Sequence, residues 1–99
     1  MPRVVIADDE SIIRLDLKEI LESAGYDVVG EAARGDDAEQ LIRDLIPDLA
    51  LLDVKMPGLD GIEVARLVQP LPVTVVLLTA FSQRDLIESA RDAGVSAYL

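Results

Sequence analysis

The chain alternates short apolar runs with amphipathic stripes, and that alternation leaves few folds open to it. Val4–Ala7, Leu49–Leu52 and Val73–Leu78 carry no charge, and Tyr26–Ala32 is built around Val28-Val29. Such runs suit parallel strands covered on both faces. Between them, Ile13, Leu17, Ile20, Leu21 and Ala24 fall at helical spacing, and Gly25 offers a left-handed stop. Ala38, Leu41, Ile42 and Leu45 form a second stripe, halted by Pro47. Ile62–Val68 is a short third stripe before Pro70 and Pro72. Leu86, Ile87 and Ala90 mark a fourth that stops at Gly94, and Ser96–Leu99 begins a last strand. Asp8-Asp9-Glu10-Ser11 and Gly35-Asp36-Asp37 read as turns and helix caps, as do Asp60-Gly61 and the pair Ser82 and Asp85. The pattern predicts four βα units and a closing strand: an α/β domain with helices on both faces of a parallel sheet.

At 99 residues the chain allows a single domain. Its only aromatics are Tyr26, Phe81 and Tyr98, so the core must be aliphatic. Nine Lys and Arg stand against nineteen Asp and Glu, a formal charge of −10. That balance excludes direct nucleic-acid binding by the domain, which needs a basic patch, and argues equally against an anionic membrane surface. It suits divalent cations or a basic partner. With no Cys and no His, disulfides, thiolate sites, histidine general bases and zinc chemistry are excluded. Met1-Pro2-Arg3 leads straight into a strand without a signal peptide, and no apolar run reaches membrane-spanning length, so a cytoplasmic location is expected.

The chemistry gathers at strand ends. Asp8 and Asp9 follow the first strand, Asp53 ends the third, and Thr79 ends the fourth. A flavodoxin-like, doubly wound five-stranded sheet of order 2-1-3-4-5 makes the first and third strands neighbours. Ligands bind at the carboxyl edge of such sheets. Asp8, Asp9 and Asp53 would then converge there, although more than forty residues separate Asp9 from Asp53. Singly, each is an ordinary cap or strand end; together on one edge they point to a site. Like charges about 4 Å apart repel by roughly 4 kcal/mol even at an effective dielectric near 20. Such a cluster holds a proton, admits a basic side chain or binds a hard cation. Oxygen ligands alone point to Mg²⁺ or Mn²⁺.

The Asp8-Asp9 pair, the run Asp53-Val54-Lys55-Met56-Pro57-Gly58-Leu59-Asp60-Gly61 and Leu78-Thr79-Ala80 resemble the signature blocks of receiver domains of two-component response regulators. The resemblance covers Val4 to Leu99. Thr79–Leu86 further resembles receivers of antiterminator-type regulators, which carry a small RNA-binding output domain. The resemblance implies that Asp53 accepts a phosphoryl group from a sensor histidine kinase. It implies that Asp9 ligates Mg²⁺ directly, that Asp8 assists through water, and that Asp53 and the backbone carbonyl of Lys55 complete the protein ligands. It gives Thr79 a hydrogen bond to a phosphoryl oxygen, Ala80 the role of leaving room, and Tyr98 a rotamer that follows the switch. The output would read the surface around the fourth helix and fifth strand. Lys55 and Phe81 stand two positions after Asp53 and Thr79, where their side chains could limit the access of water. Met56-Pro57 and Gly58 are expected to serve loop geometry.

The family pattern continues past the fifth strand with a Lys, a Pro and a fifth helix, none of which occurs before Leu99. The expectation is therefore one receiver domain over residues 1–99, truncated before its last helix and without its output domain. The sheet face left bare could draw a second copy into a homodimer. Such a domain is a signalling protein that catalyses its own phosphorylation and dephosphorylation, not an enzyme in the usual sense. The alternative enzyme, an Mg²⁺-dependent aspartyl phosphatase, resembles D-x-D at its nucleophile, whereas Lys55 stands two after Asp53. A vestigial interaction module would not be expected to keep Asp8, Asp9, Asp53 and Thr79 together.

Overall fold

The computed structural model describes residues 1–78 and the backbone of residues 97 and 98. Strands β1 (Arg3–Ala7), β2 (Asp27–Ala32), β3 (Leu49–Asp53), β4 (Thr74–Leu78) and β5 (Ala97–Tyr98) form one sheet. The order is β2-β1-β3-β4-β5, with every pairing parallel, which is the doubly wound order expected from the sequence. The helices described are α1 (Ser11–Ser23), α2 (Gly35–Leu45) and α3 (Gly61–Val68). The expected fourth helix lies outside the described residues.

Strand pleating sorts the aliphatic side chains into two cores. Val5, Ala7, Ala50, Leu52, Val75 and Leu77 face α2 and α3, which contribute Ala38, Ile42, Val64, Ala65 and Val68. Val4, Ile6 and Leu51 face the other way, against Leu17 and Leu21 of α1. The first core is larger and better enclosed. On the second face α1 has no buried residue, and Ile20, expected within its apolar stripe, is 64 % exposed. Leu17 and Leu21 already cover the strands, so Ile20, one position before Leu21, turns to the flank.

The helix ends follow local chemistry. After α1 the amide of Gly25 bonds Glu22 O at 3.1 Å and that of Tyr26 bonds Leu21 O at 2.9 Å, with Gly25 at φ +92°. This double closure needs a left-handed residue, and Gly adopts it without a Cβ penalty. The acids after β1 do not cap α1: its N-cap is Glu10, which makes no side-chain capping bond. Gly35-Asp36-Asp37 is likewise not a turn. It is the first turn of α2, where both carboxylates lie at the positive end of the helix dipole. Asp60 does cap: its carboxylate accepts from Glu63 N at 2.8 Å, and Glu63 Oε1 accepts from Asp60 N at 3.1 Å.

Candidate functional site

Register brings the acids together. Ala7 pairs with Leu52 across β1 and β3, so Asp8 and Asp53, each one residue further on, emerge side by side. One carboxylate oxygen each from Asp8, Asp9 and Asp53 lies within 4.8 Å of the others. Asp8 is buried, Asp53 is half-buried and Asp9 is exposed. Asp53 also pairs with Leu78 across β3 and β4. Thr79, Ala80 and Phe81 themselves lie outside the described residues. Tyr98 pairs with Leu77 through its backbone, and its side chain lies outside the description.

The acceptor loop after β3 is built by close backbone approach. The amide of Gly61 donates to Val54 O at 2.9 Å, and that of Gly35 to Pro57 O at 3.0 Å. A Cβ on Gly35 would meet Leu59 O at 1.8 Å, so α2 can approach this loop only with Gly at its start. Gly58 turns the loop at φ +77°. The loop and Asp9 enclose an open cleft of about 470 Å³, lined by Asp9, Val54, Lys55, Met56, Pro57 and Asp60. Asp9 joins the cleft to the acid cluster, and Lys55 stands on its wall.

Electrostatics mark the cluster as strained by charge. Burial, then the neighbouring charge of Asp8 and more weakly that of Asp9, push Asp53 up from 3.8 to about 6, although the backbone amides of Lys55 and Val54 favour its ionised form. Asp8 is also raised, chiefly by burial, with the Glu10 amide acting in the opposite sense. The donor set is oxygen only and partly desolvated, and its carboxylates raise one another's affinity for protons. It fits a hard divalent cation, which would relieve that repulsion.

Two contributors were not singled out from the sequence. Arg14 donates from Nη1 to the carbonyl oxygen of Asp8 at 2.7 Å. Its spacing after the acid pair was visible, but a basic residue early in a helix normally reads as solvated. In the sequence Gly35 reads as turn chemistry, because its contact with Leu59 comes from a segment far along the chain.

A five-stranded parallel sheet of this order, with a carboxylate trio at the carboxyl ends of β1 and β3, defines the class. The family model of the response regulator receiver domain matches residues 4–99, and the chain belongs to that family. It is 53% identical over 98 residues to the transcriptional regulatory protein PdtaR of Mycobacterium tuberculosis, covering 98% of this chain and 48% of that protein. It thus spans about half the length of that relative. It is 31% identical to the chemotaxis protein CheY of Thermotoga maritima, over 98% of this chain and 82% of that one. Among solved structures, the signal receiver domain of NarL from Mycobacterium tuberculosis superposes with a TM-score of 0.95 at 39% identity, covering 99% of this chain and 82% of that one. The chain is therefore a receiver domain of two-component signalling. Among the described residues no helix is long and apolar enough to cross a membrane.

Proposed function

We propose that this receiver is a phosphorylation switch in which Asp53 accepts a phosphoryl group from a sensor histidine kinase. The observation that carries this is the convergence of Asp8, Asp9 and Asp53 within 4.8 Å at the carboxyl edge of the sheet. An Asp53 oxygen forms a bond to phosphorus while the phosphorus–nitrogen bond of the donor phosphohistidine breaks, its electron pair passing to the imidazole. Negative charge spreads over the transferring oxygens, so position and positive charge are what the site must supply. Asp8, Asp9, Asp53 and the Lys55 carbonyl would hold Mg²⁺ or Mn²⁺, which when bound supplies that charge. Thr79 would donate its hydroxyl to a phosphoryl oxygen, with Ala80 leaving room. Lys55 and Phe81 would tune water access, and Tyr98 would respond on the surface that the output reads. The similarity to a named transcriptional regulator supports an output domain acting on transcription, with RNA-binding antitermination as the specific form proposed. A cytoplasmic setting follows from a kinase donor.

Intact mass after incubation with acetyl phosphate tests the role. Wild type should gain one phosphoryl group with MgCl₂ and none with EDTA, and hydroxylamine should remove it as it does other acyl phosphates. An Asp53→Asn chain that gains the same mass would overturn the assignment.

A further inference from the structure

The Asp8 carbonyl belongs to the peptide plane that joins Asp8 to Asp9. Arg14 Nη1 donates to its oxygen at 2.7 Å, and Arg14 Nε lies 3.7 Å from Glu31 Oε1. Glu31 sits on β2 beside Ala32, whose carbonyl accepts the Asp8 amide at 3.0 Å. Asp8 Oδ1 in turn accepts from the Glu10 amide at 2.9 Å. Asp8 is therefore gripped at three points, by the edge strand, by a side chain from α1 and across its own turn. The torsions on either side of that plane set where the exposed Asp9 carboxylate points.

We infer that Arg14 is a positioning residue for the acid cluster, pinning the Asp8–Asp9 peptide so that the Asp9 carboxylate stays aimed at the cation. This rests on the metal-binding role proposed above. Charge and geometry predict opposite outcomes at Arg14. A guanidinium near a cation site repels the cation, so if charge alone mattered, neutralising Arg14 would tighten Mg²⁺ binding. If pinning matters, binding weakens by about 10-fold or more, as when other outer-shell partners of metal ligands are removed. Lys18 is the control: its Nζ lies 3.8 Å from Glu31 Oε2, so it shares Glu31 with Arg14.

Calorimetric titration of MgCl₂ into the 99-residue chain and its variants decides the matter. Arg14→Gln should bind Mg²⁺ about 10-fold more weakly or worse. Arg14→Lys, which keeps the charge and one donor, should recover part of the loss. Lys18→Gln should bind as well as wild type or better, and Asp9→Ala should abolish binding. Arg14→Gln binding as tightly as wild type, while Asp9→Ala still abolishes it, would overturn the positioning role and leave the site intact. Mg²⁺ uptake that survives Asp9→Ala would remove the site and the role together. Should circular dichroism find Arg14→Gln unfolded, Arg14→Met, which keeps the aliphatic stem but no donor, decides, and wild-type affinity there overturns the inference.

Discussion

A Cβ placed on Gly61 would lie 2.3 Å from the carbonyl oxygen of Asp53. The acceptor loop leaves Asp53 and returns at Gly61 onto the same stretch of backbone, closed by the 2.9 Å bond from Gly61 N to Val54 O. Asp60 caps α3 at that same point, so the helix begins against the residue proposed to carry the phosphoryl group.

Gly61→Ala should therefore cost about 1–3 kcal/mol, because backbone rather than a flexible side chain must move. It should also blunt the stabilisation by Mg²⁺, since the displaced atom belongs to Asp53. Urea denaturation with and without MgCl₂ measures both. An unchanged midpoint would mean that α3 shifts freely.

Asp53→Asn should stabilise the metal-free protein in a pH-dependent way. The folded state raises Asp53 from 3.8 to about 6, so it binds this proton more tightly than the unfolded chain does. The resulting penalty is absent below pH 3.8, grows as pH rises towards about 6, and is constant above. At neutral pH the substitution should add about 1–2 kcal/mol, the full shift being discounted for a half-solvated site. Denaturation in EDTA at acid and neutral pH tests this, and an equal gain at both would assign the effect to something other than charge.

Mg²⁺ should stabilise the wild-type fold by about 2.7 kcal/mol at a hundredfold excess over its Kd. Asp9→Ala should remove that increment while leaving the metal-free melting temperature equal or higher, because one repelling charge has gone. A Mg²⁺-induced shift that persists in Asp9→Ala would locate the cation elsewhere. The increment should also shrink as pH falls below about 6, where Asp53 takes up its proton.

Leu52→Ala and Ile20→Ala should differ widely although both remove an aliphatic side chain. Leu52 is fully enclosed between β3 and the α2–α3 layer, and its loss should cost about 2–5 kcal/mol. Ile20 is 64 % exposed, and its loss should stay within about 0.5 kcal/mol. Equal costs would show that the outer face of α1 is covered in solution.

Element type and the three acids were legible because each rests on local or repeating chemistry, and the strand order followed from the doubly wound class that the alternation implies. Uncharged runs of four to six residues, such as Leu49–Leu52, can be stable only when covered, and Gly25 and Asp60 carry their turn and cap chemistry in their own side chains or lack of one. Arg14 and Gly35 were not legible, since what each does depends on a backbone group supplied by another segment. The same holds for Ile20, whose helical spacing is indistinguishable from that of Leu21 until the sheet fixes which way α1 faces.

The amino-acid order alone thus determined that the chain alternates strands and helices around an aliphatic core, and that Asp8, Asp9 and Asp53 end up on one edge. Hydrophobic periodicity and the placement of acids at strand ends are properties of single segments. Only the tertiary structure decided how close those acids stand, how far burial raises Asp53, and which groups aim them. Distance, desolvation and hydrogen bonding between β1, α1 and the acceptor loop exist only once those segments are packed against one another.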